Sequence, residues 1–116
     1  MIYSELALKL REFAAERDWE QFHSPKNLAM ALNVEAAELL EHFQWLTQEQ
    51  SSSLSPEDLA AVAQEIADIQ IYLVRLSDQL GVDIGSSVEK KLAINAKKYP
   101  ISKAHGNALK STKFEE

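Results

Sequence analysis

The sequence predicts an all-α protein, and three observations carry this prediction. Apolar residues recur with helical spacing over four long segments, two of these segments begin with a Ser-Pro pair, and no segment alternates apolar and polar residues as a strand would. The chain has 116 residues, 46% of them hydrophobic, with only three glycines and three prolines. Because this length supports one core and not two, we expect a single four-helix bundle.

The first predicted helix and the link after it are rich in aromatic side chains. We expect the helix to run from about residue 3 to residue 17. Its predicted apolar stripe consists of Tyr3, Leu6, Leu10 and Phe13. The link that follows contains Trp19, Phe22 and His23, an unusually aromatic composition for a loop.

The second and third predicted helices each begin with a serine followed by a proline. Ser24 and Ser55 are predicted N-caps, because a serine hydroxyl can accept a hydrogen bond from the first turn and proline suits the first helical position. We expect the second helix to reach about Trp45 or Leu46, and polar residues 48–53 to form a loop. Its predicted core stripe is Leu28, Leu32, Ala36, Leu39, Phe43 and Leu46.

The third predicted helix has the strongest periodicity in the chain. Its apolar residues lie at heptad-like spacing: Leu59, Val62, Ile66, Ile69, Leu73, Leu76 and Leu80. Gly81 is predicted to end this helix as a C-cap. A fourth helix is expected from about Gly85 to Lys98, since Pro100 disfavours helix in the residue before it. We expect residues 1–100 to form the domain and residues 101–116 to form an irregular C-terminal tail.

Two acidic pairs lie on stripes that a helix turns to one face. Glu35 precedes Glu38 by three residues, and Glu65 precedes Asp68 by three. The full stripes are Ala31, Glu35, Glu38, His42 and Trp45 on the second helix and Ala61, Glu65, Asp68, Tyr72 and Arg75 on the third. Antiparallel packing of the two helices would bring the four carboxylates together. Desolvation and repulsion would then require either protonation or a bound cation.

The all-oxygen character of these side chains determines which metal they would suit. Such ligands select Mg²⁺ or Mn²⁺, or Ca²⁺, rather than zinc. A di-iron bundle would carry Glu-x-x-His motifs on two helices, whereas here His42 follows Glu38 by four residues and the third helix has no histidine. A solvated helix face is the ordinary alternative for glutamate, so spacing alone leaves both interpretations open.

Composition argues against several classes of partner. A net charge of −6 disfavours nonspecific nucleic-acid binding, which needs a clustered basic surface. The absence of cysteine excludes disulfides and thiolate chemistry and fits a reducing compartment. Charged residues interrupt every apolar run before about 18–20 residues, so we expect no membrane span and a cytoplasmic location.

The most specific motifs flank the second predicted helix. They are the run Asp18-Trp-Glu-Gln-Phe-His23 and the motif Phe43-Gln-Trp45, accompanied by Glu35-Ala-Ala-Glu38 and Glu65-Ile-Ala-Asp68. With Asn95 and Tyr99-Pro100, these motifs resemble the MazG-like all-α nucleotide pyrophosphohydrolases over about residues 5–100. The nearest resemblance is to members that act on dCTP.

The resemblance implies hydrolysis of a nucleoside triphosphate between its α and β phosphates, giving the monophosphate and pyrophosphate. Mg²⁺ would be the cofactor, with Mn²⁺ as a substitute, and dCTP or a modified dCTP would be the substrate. The implied metal ligands are Glu35, Glu38, Glu65 and Asp68. Glu38 or Glu41 would accept the proton of the attacking water. Members of this family are commonly homo-oligomers, so a dimer or tetramer is expected.

The resemblance also implies a substrate pocket of aromatic and polar side chains. Its implied members are Trp19, His23, Trp45, Tyr72, Lys91, Asn95 and Lys98. Core packing is the alternative for each aromatic, and a solvated helix end is the alternative for the lysines. Leu10 stands where vertebrate-type members carry a pocket histidine, so the preference for cytosine is open.

Two other interpretations compete with this one. The acidic stripes would also suit a noncatalytic helical interaction module that binds a basic partner. A relative that cleaves another pyrophosphate bond, such as that of a phosphoribosyl-linked nucleotide, would carry the same acidic motifs.

Overall fold

The computed structural model describes residues 2–114, which form helices and turns with no strand among them. The helices are α1 (Tyr3–Glu16), α2 (Pro25–Glu41), α3 (Gln48–Ser51), α4 (Pro56–Leu80), α5 (Ile84–Lys98) and α6 (Ile101–Ala104), with 3₁₀ turns at Glu20–Phe22 and Ser111–Lys113. The predicted all-α class is confirmed. No helix in the described part of the chain is both long and apolar enough to cross a membrane.

The predicted helix boundaries are confirmed where local capping chemistry sets them. The Ser24 hydroxyl accepts a hydrogen bond from the Asn27 amide at 3.2 Å, and the Ser55 hydroxyl accepts one from the Asp58 amide at the same distance. Gly81 ends α4 with φ of 69°, a left-handed conformation that glycine adopts without a Cβ clash. These three residues therefore fix the start of α2 and both ends of α4.

Two segments differ from the sequence prediction. Helix α2 ends at Glu41, before the predicted Trp45 or Leu46, because the next amides bond to carbonyls three residues back and the chain tightens into turns. Residues 48–51, predicted as loop, form α3 through a capping box. Thr47 and Gln50 each accept a hydrogen bond from the other's amide. The predicted tail contains α6 and a 3₁₀ turn, and its division from the domain at residue 100 remains a prediction.

The chain divides into two compact units, Met1–Val82 and Asp83–Glu116. In the first unit, α4 packs against both α2 and α1. Helices α2 and α4 are antiparallel, since His42 after α2 lies beside Glu65 while His23 before α2 contacts Arg75. In the second unit, the rings of Tyr99 and Phe114 meet edge to face with centroids 5.6 Å apart.

The core of the first unit is small, and the predicted stripes are only partly buried. Its buried apolar residues are Ala14, Leu28, Val62 and Val74. Several predicted stripe residues are instead exposed, namely Tyr3, Phe13, Ala36, Leu46, Leu59, Ile66, Leu73 and Leu80. The reason is geometric: the apolar residues of α4 cover more than one face, and α1 and α2 reach only part of that surface.

Candidate functional site

Three carboxylates from two antiparallel helices converge in the first unit. Glu35 and Glu38 on α2 and Glu65 on α4 each offer an oxygen atom, and these atoms lie within 4.8 Å of one another. All three side chains are half-buried. Because Glu35 and Glu38 are three residues apart, they lie on one face of α2, and the antiparallel packing places Glu65 opposite them. This group could hold a metal ion.

Two buried carboxylate oxygens of the cluster have no hydrogen-bond partner, which is consistent with a cation site. One oxygen each of Glu35 and Glu65, Oε2 in both, is buried without a hydrogen-bond partner. A buried carboxylate oxygen left unpaired is costly, and no donor among residues 2–114 satisfies these two. Because every ligand atom is a hard oxygen, a divalent cation of the Mg²⁺, Mn²⁺ or Ca²⁺ class matches the donor set.

Asp68, the fourth carboxylate of the predicted set, lies near this group but outside the three converging oxygens. Its negative charge raises the pKa of both Glu35 and Tyr72. Tyr72, half-buried one turn further along α4, therefore shares the electrostatic environment of the acidic cluster. The phenol pKa is raised first by burial and then by the charges of Glu35 and Asp68.

Glu35 has the most perturbed carboxyl group of the cluster. Its pKa is raised from 4.5 to about 7, chiefly by desolvation, then by the close approach of the Glu65 and Glu38 carboxylates and by the charge of Asp68. Near neutral pH the metal-free cluster therefore retains a proton for part of the time. A cation that binds here would displace that proton.

We expect the stability of the metal-free protein to depend on pH through Glu35. An acid whose folded-state pKa is raised favours folding below its unfolded value, near 4.5, and this contribution is lost as the pH rises through about 7. Glu35→Gln should match the wild type in melting temperature below pH 4.5 and exceed it above pH 7. Mg²⁺ should reverse the order above pH 7, because only the wild type keeps the full ligand set.

The control for this titration is Glu12→Gln, which removes an exposed carboxylate from the middle of α1. Its melting temperature should not show the rise above that of the wild type that is expected of Glu35→Gln above pH 7. A constant difference between wild type and Glu35→Gln from pH 4 to 8 would contradict the role given to Glu35.

His42 also contacts the cluster, although sequence analysis gave it no role beyond disfavouring iron. Its Nε2 lies 3.9 Å from Oε1 of Glu65. The signal was present in the sequence, because His42 follows Glu38 by four residues on the same stripe. The contact of His42 with Glu65 could not be inferred from the sequence, because it depends on how α2 and α4 pack.

The two predicted tryptophans of the pocket have different environments. The Trp19 ring is 43% exposed and meets the rings of Phe13 and His23 edge-on, at centroid distances of 5.8 and 6.4 Å. Trp45, in the turns after α2, is 86% exposed. Core packing therefore does not account for Trp45, and a large exposed aromatic side chain is available to a ligand or a partner.

The remaining predicted site residues lie elsewhere on the chain. Glu41 is the exposed last residue of α2 and does not belong to the converging group. Lys91, Asn95 and Lys98 lie on α5 in the second unit, where Asn95 is half-buried and both lysines are exposed. Their part in a substrate site remains a prediction.

Fold and site together define an all-α protein with a carboxylate cluster suited to a metal ion. Comparison with known sequences agrees, since a model of the MazG-like family matches residues 30–114. The chain belongs to the MazG-like family, and the resemblance seen in its motifs is confirmed.

Two curated relatives and one solved structure show where the chain lies in that family. It is 47% identical to dCTP pyrophosphatase 1 of Bos taurus over 103 residues and 45% identical to dCTP pyrophosphatase 1 of Homo sapiens over 105. These matches cover 87% and 89% of this chain but only 61% and 62% of the relatives. The crystal structure of a pyrophosphatase from Archaeoglobus fulgidus superposes with a TM-score of 0.79 at 40% identity, covering 84% of this chain and 91% of that one.

Proposed function

We propose that this chain is a Mg²⁺-dependent nucleoside triphosphate pyrophosphohydrolase. It would convert a nucleoside or deoxynucleoside triphosphate, dCTP or a modified dCTP in the first place, to the monophosphate and pyrophosphate, and so remove nucleotides from the pool. The observation that carries the proposal is the convergence of Glu35, Glu38 and Glu65 with two unpaired buried oxygens. The names of the relatives, dCTP pyrophosphatase and pyrophosphatase, support the reaction class.

The acidic residues have two tasks under this proposal, holding the cation and accepting a proton from water. Glu35, Glu38, Glu65 and Asp68 hold the cation, with Mn²⁺ able to replace Mg²⁺. Bound Mg²⁺ would neutralise phosphate charge and lower the pKa of an attacking water. We assign the general base to Glu38 rather than Glu41, because Glu41 is exposed and lies outside the converging oxygens.

The aromatic residues would bind the nucleoside. Tyr72 lies close enough to Glu35 and Asp68 for their charges to raise its pKa. Trp19 and Trp45 present exposed ring surface on which a base can stack. His23 is a candidate for a polar contact with the base or sugar. Lys91, Asn95 and Lys98 of the second unit stay proposed substrate-binding residues, the lysines as partners of phosphate oxygens. Because the absence of cysteine fits a reducing compartment, we also propose a cytoplasmic location.

A substrate panel tests this function directly. The full chain is incubated with each common dNTP and NTP and with 5-substituted dCTP, with and without Mg²⁺, and the monophosphate and pyrophosphate are quantified. We expect Mg²⁺-dependent release of pyrophosphate, fastest from a cytosine deoxynucleotide. Absence of hydrolysis from every triphosphate, with or without divalent cation, would overturn the proposal and favour the noncatalytic helical module.

We also propose that the chain works as a homo-oligomer, a dimer or a tetramer. The exposed residues Leu59, Ile66, Leu73 and Leu80 follow one another at intervals of seven along α4. They are 58%, 55%, 36% and 56% exposed. A heptad row of large apolar residues open to water is the pattern that a second helix buries in a paired assembly.

The oligomer proposal predicts the effect of charges placed on this row. Leu59→Glu with Leu80→Glu should shift the molecular mass in solution to that of one chain, because carboxylates would be buried unpaired at the contact. The control is Ala60→Glu with Gln64→Glu, which adds the same charge at exposed α4 positions outside the row. Light scattering coupled to size exclusion measures both. An unchanged mass for the first variant would rule out this row as the contact.

A further inference from the structure

A second polar cluster lies around Arg75 on α4. Arg75 is 5% exposed and is the one buried charged residue among residues 2–114. Its Nη1 lies 3.5 Å from Oδ2 of Asp78, and Asp78 also accepts two hydrogen bonds from Arg11, the one from Nε at 2.6 Å. These contacts, mainly those of Arg11, lower the pKa of Asp78. Asp78 is therefore ionised beside the buried guanidinium and supplies the negative partner that a buried charge requires.

The remaining contact of Arg75 is made with a histidine ring. Its Nε–H donates to Nδ1 of His23 at 3.2 Å, across 52 residues of sequence. A guanidinium has only donors, so the ring nitrogen that faces it must present a lone pair. A neutral imidazole that accepts at Nδ1 carries its proton on Nε2. The contact thus selects one of the two tautomers of His23.

Helix α4 also holds the backbone of His23. Gln79, one turn beyond Arg75, donates from its side-chain amide to the His23 carbonyl at 3.1 Å. The His23 ring in turn meets Trp19 edge-on, at a centroid distance of 6.4 Å and an angle of 61°. The link before α2 is therefore tied to α4 at both the ring and the main chain of His23.

We propose that Arg75 is a positioning residue, which holds His23 with its proton on Nε2 and through His23 holds Trp19 in place. The Nε2–H then serves as a fixed, uncharged donor for an acceptor on the nucleoside. The contact with nucleotide rests on the function proposed above, whereas the tautomer of His23 does not.

The charges around His23 agree with a neutral ring. Burial lowers its pKa most, the positive charge of Arg75 lowers it further, and Glu20 from the neighbouring 3₁₀ turn acts in the opposite direction. Asp78 faces Arg75 from the next turn of α4. Removal of the guanidinium should therefore raise the pKa of His23 as well as release its tautomer.

Nuclear magnetic resonance of the histidine ring tests the proposal without any reference to activity. Long-range proton–nitrogen spectra of the full chain, recorded above the pKa of His23, should show the proton on Nε2. In Arg75→Met, which keeps an unbranched apolar stem, both tautomers should be present and the His23 pKa should rise. The control Arg11→Gln breaks the Arg11–Asp78 pair alone and should leave the tautomer unchanged. A proton on Nδ1 in the wild type would overturn the proposal, even if Arg75→Met failed to fold.

Kinetics then test the consequence for the nucleotide. With the best triphosphate of the substrate panel, Arg75→Met should raise KM about 3- to 10-fold, the usual effect of one hydrogen bond, while kcat changes less. A purely structural Arg75 would lower stability but leave the His23 tautomer and KM as they are, and that result would overturn the proposal. If no triphosphate is hydrolysed, the proposed function fails, and the ring spectra still decide the tautomer.

Discussion

Glu38→Gln is expected to lower Mg²⁺-dependent pyrophosphate release by about 10²–10⁴-fold, the range in which a general base contributes. The substitution keeps the size of the side chain and removes its charge. Glu38 belongs to the group of oxygens within 4.8 Å, so the change also removes one of the metal ligands. The helical fold should persist, because glutamine and glutamate have similar helix propensities. Turnover by pyrophosphate assay and helicity by circular dichroism measure both effects.

Two further variants test whether the loss of activity is specific to Glu38. Glu41→Gln tests the alternative general base, and we expect it to keep most of the activity since Glu41 is exposed at the end of α2. Glu57→Gln, at an exposed position of α4, controls for the loss of one negative charge. Full activity in Glu38→Gln, or a loss in Glu41→Gln alone, would show that the base has been assigned to the wrong carboxylate.

Leu28→Ala is expected to lower the free energy of unfolding by about 2–5 kcal/mol. Leu28 is 1% exposed and lies in the first turn of α2, where few apolar side chains are fully buried. Because the buried core is small, a cavity at this position removes a large share of it. Denaturant unfolding at a fixed protein concentration measures the change, since assembly would make stability depend on concentration.

The matched control is Asn33→Ala, at an exposed position of the same helix. It should change the free energy of unfolding by no more than about 0.5 kcal/mol. Equal changes in the free energy of unfolding for the two substitutions would contradict the role of Leu28 as a core residue of α2.

Local chemistry accounts for what the sequence predicted well. Ser24, Ser55 and Gly81 act within one turn of their own positions, so their roles could be inferred from neighbouring residues. The convergence of Glu35, Glu38 and Glu65 could also be anticipated, because helical periodicity sets their faces and the two long helices were expected to pack antiparallel. The capping box at Thr47 and Gln50 is encoded just as locally, although residues 48–53 were predicted as loop.

Contacts between distant segments could not be predicted. Arg11 pairs with Asp78 across 67 residues, and Arg75 with His23 across 52. No periodicity or motif encodes such pairings, which exist only once the elements have packed. The same limit applies to the apolar stripe of α4. Its spacing predicts a helix, but which of its residues face α1 and α2 depends on those helices.

The central claim is that carboxylates of α2 and α4 share one divalent cation, and calorimetric titration of Mg²⁺ into the full chain tests it most directly. Titrated without nucleotide, which would itself chelate Mg²⁺, the wild type should show saturable binding, and the double variant Glu35→Gln, Glu65→Gln should show none. Unchanged Mg²⁺ affinity in that double variant would contradict the claim.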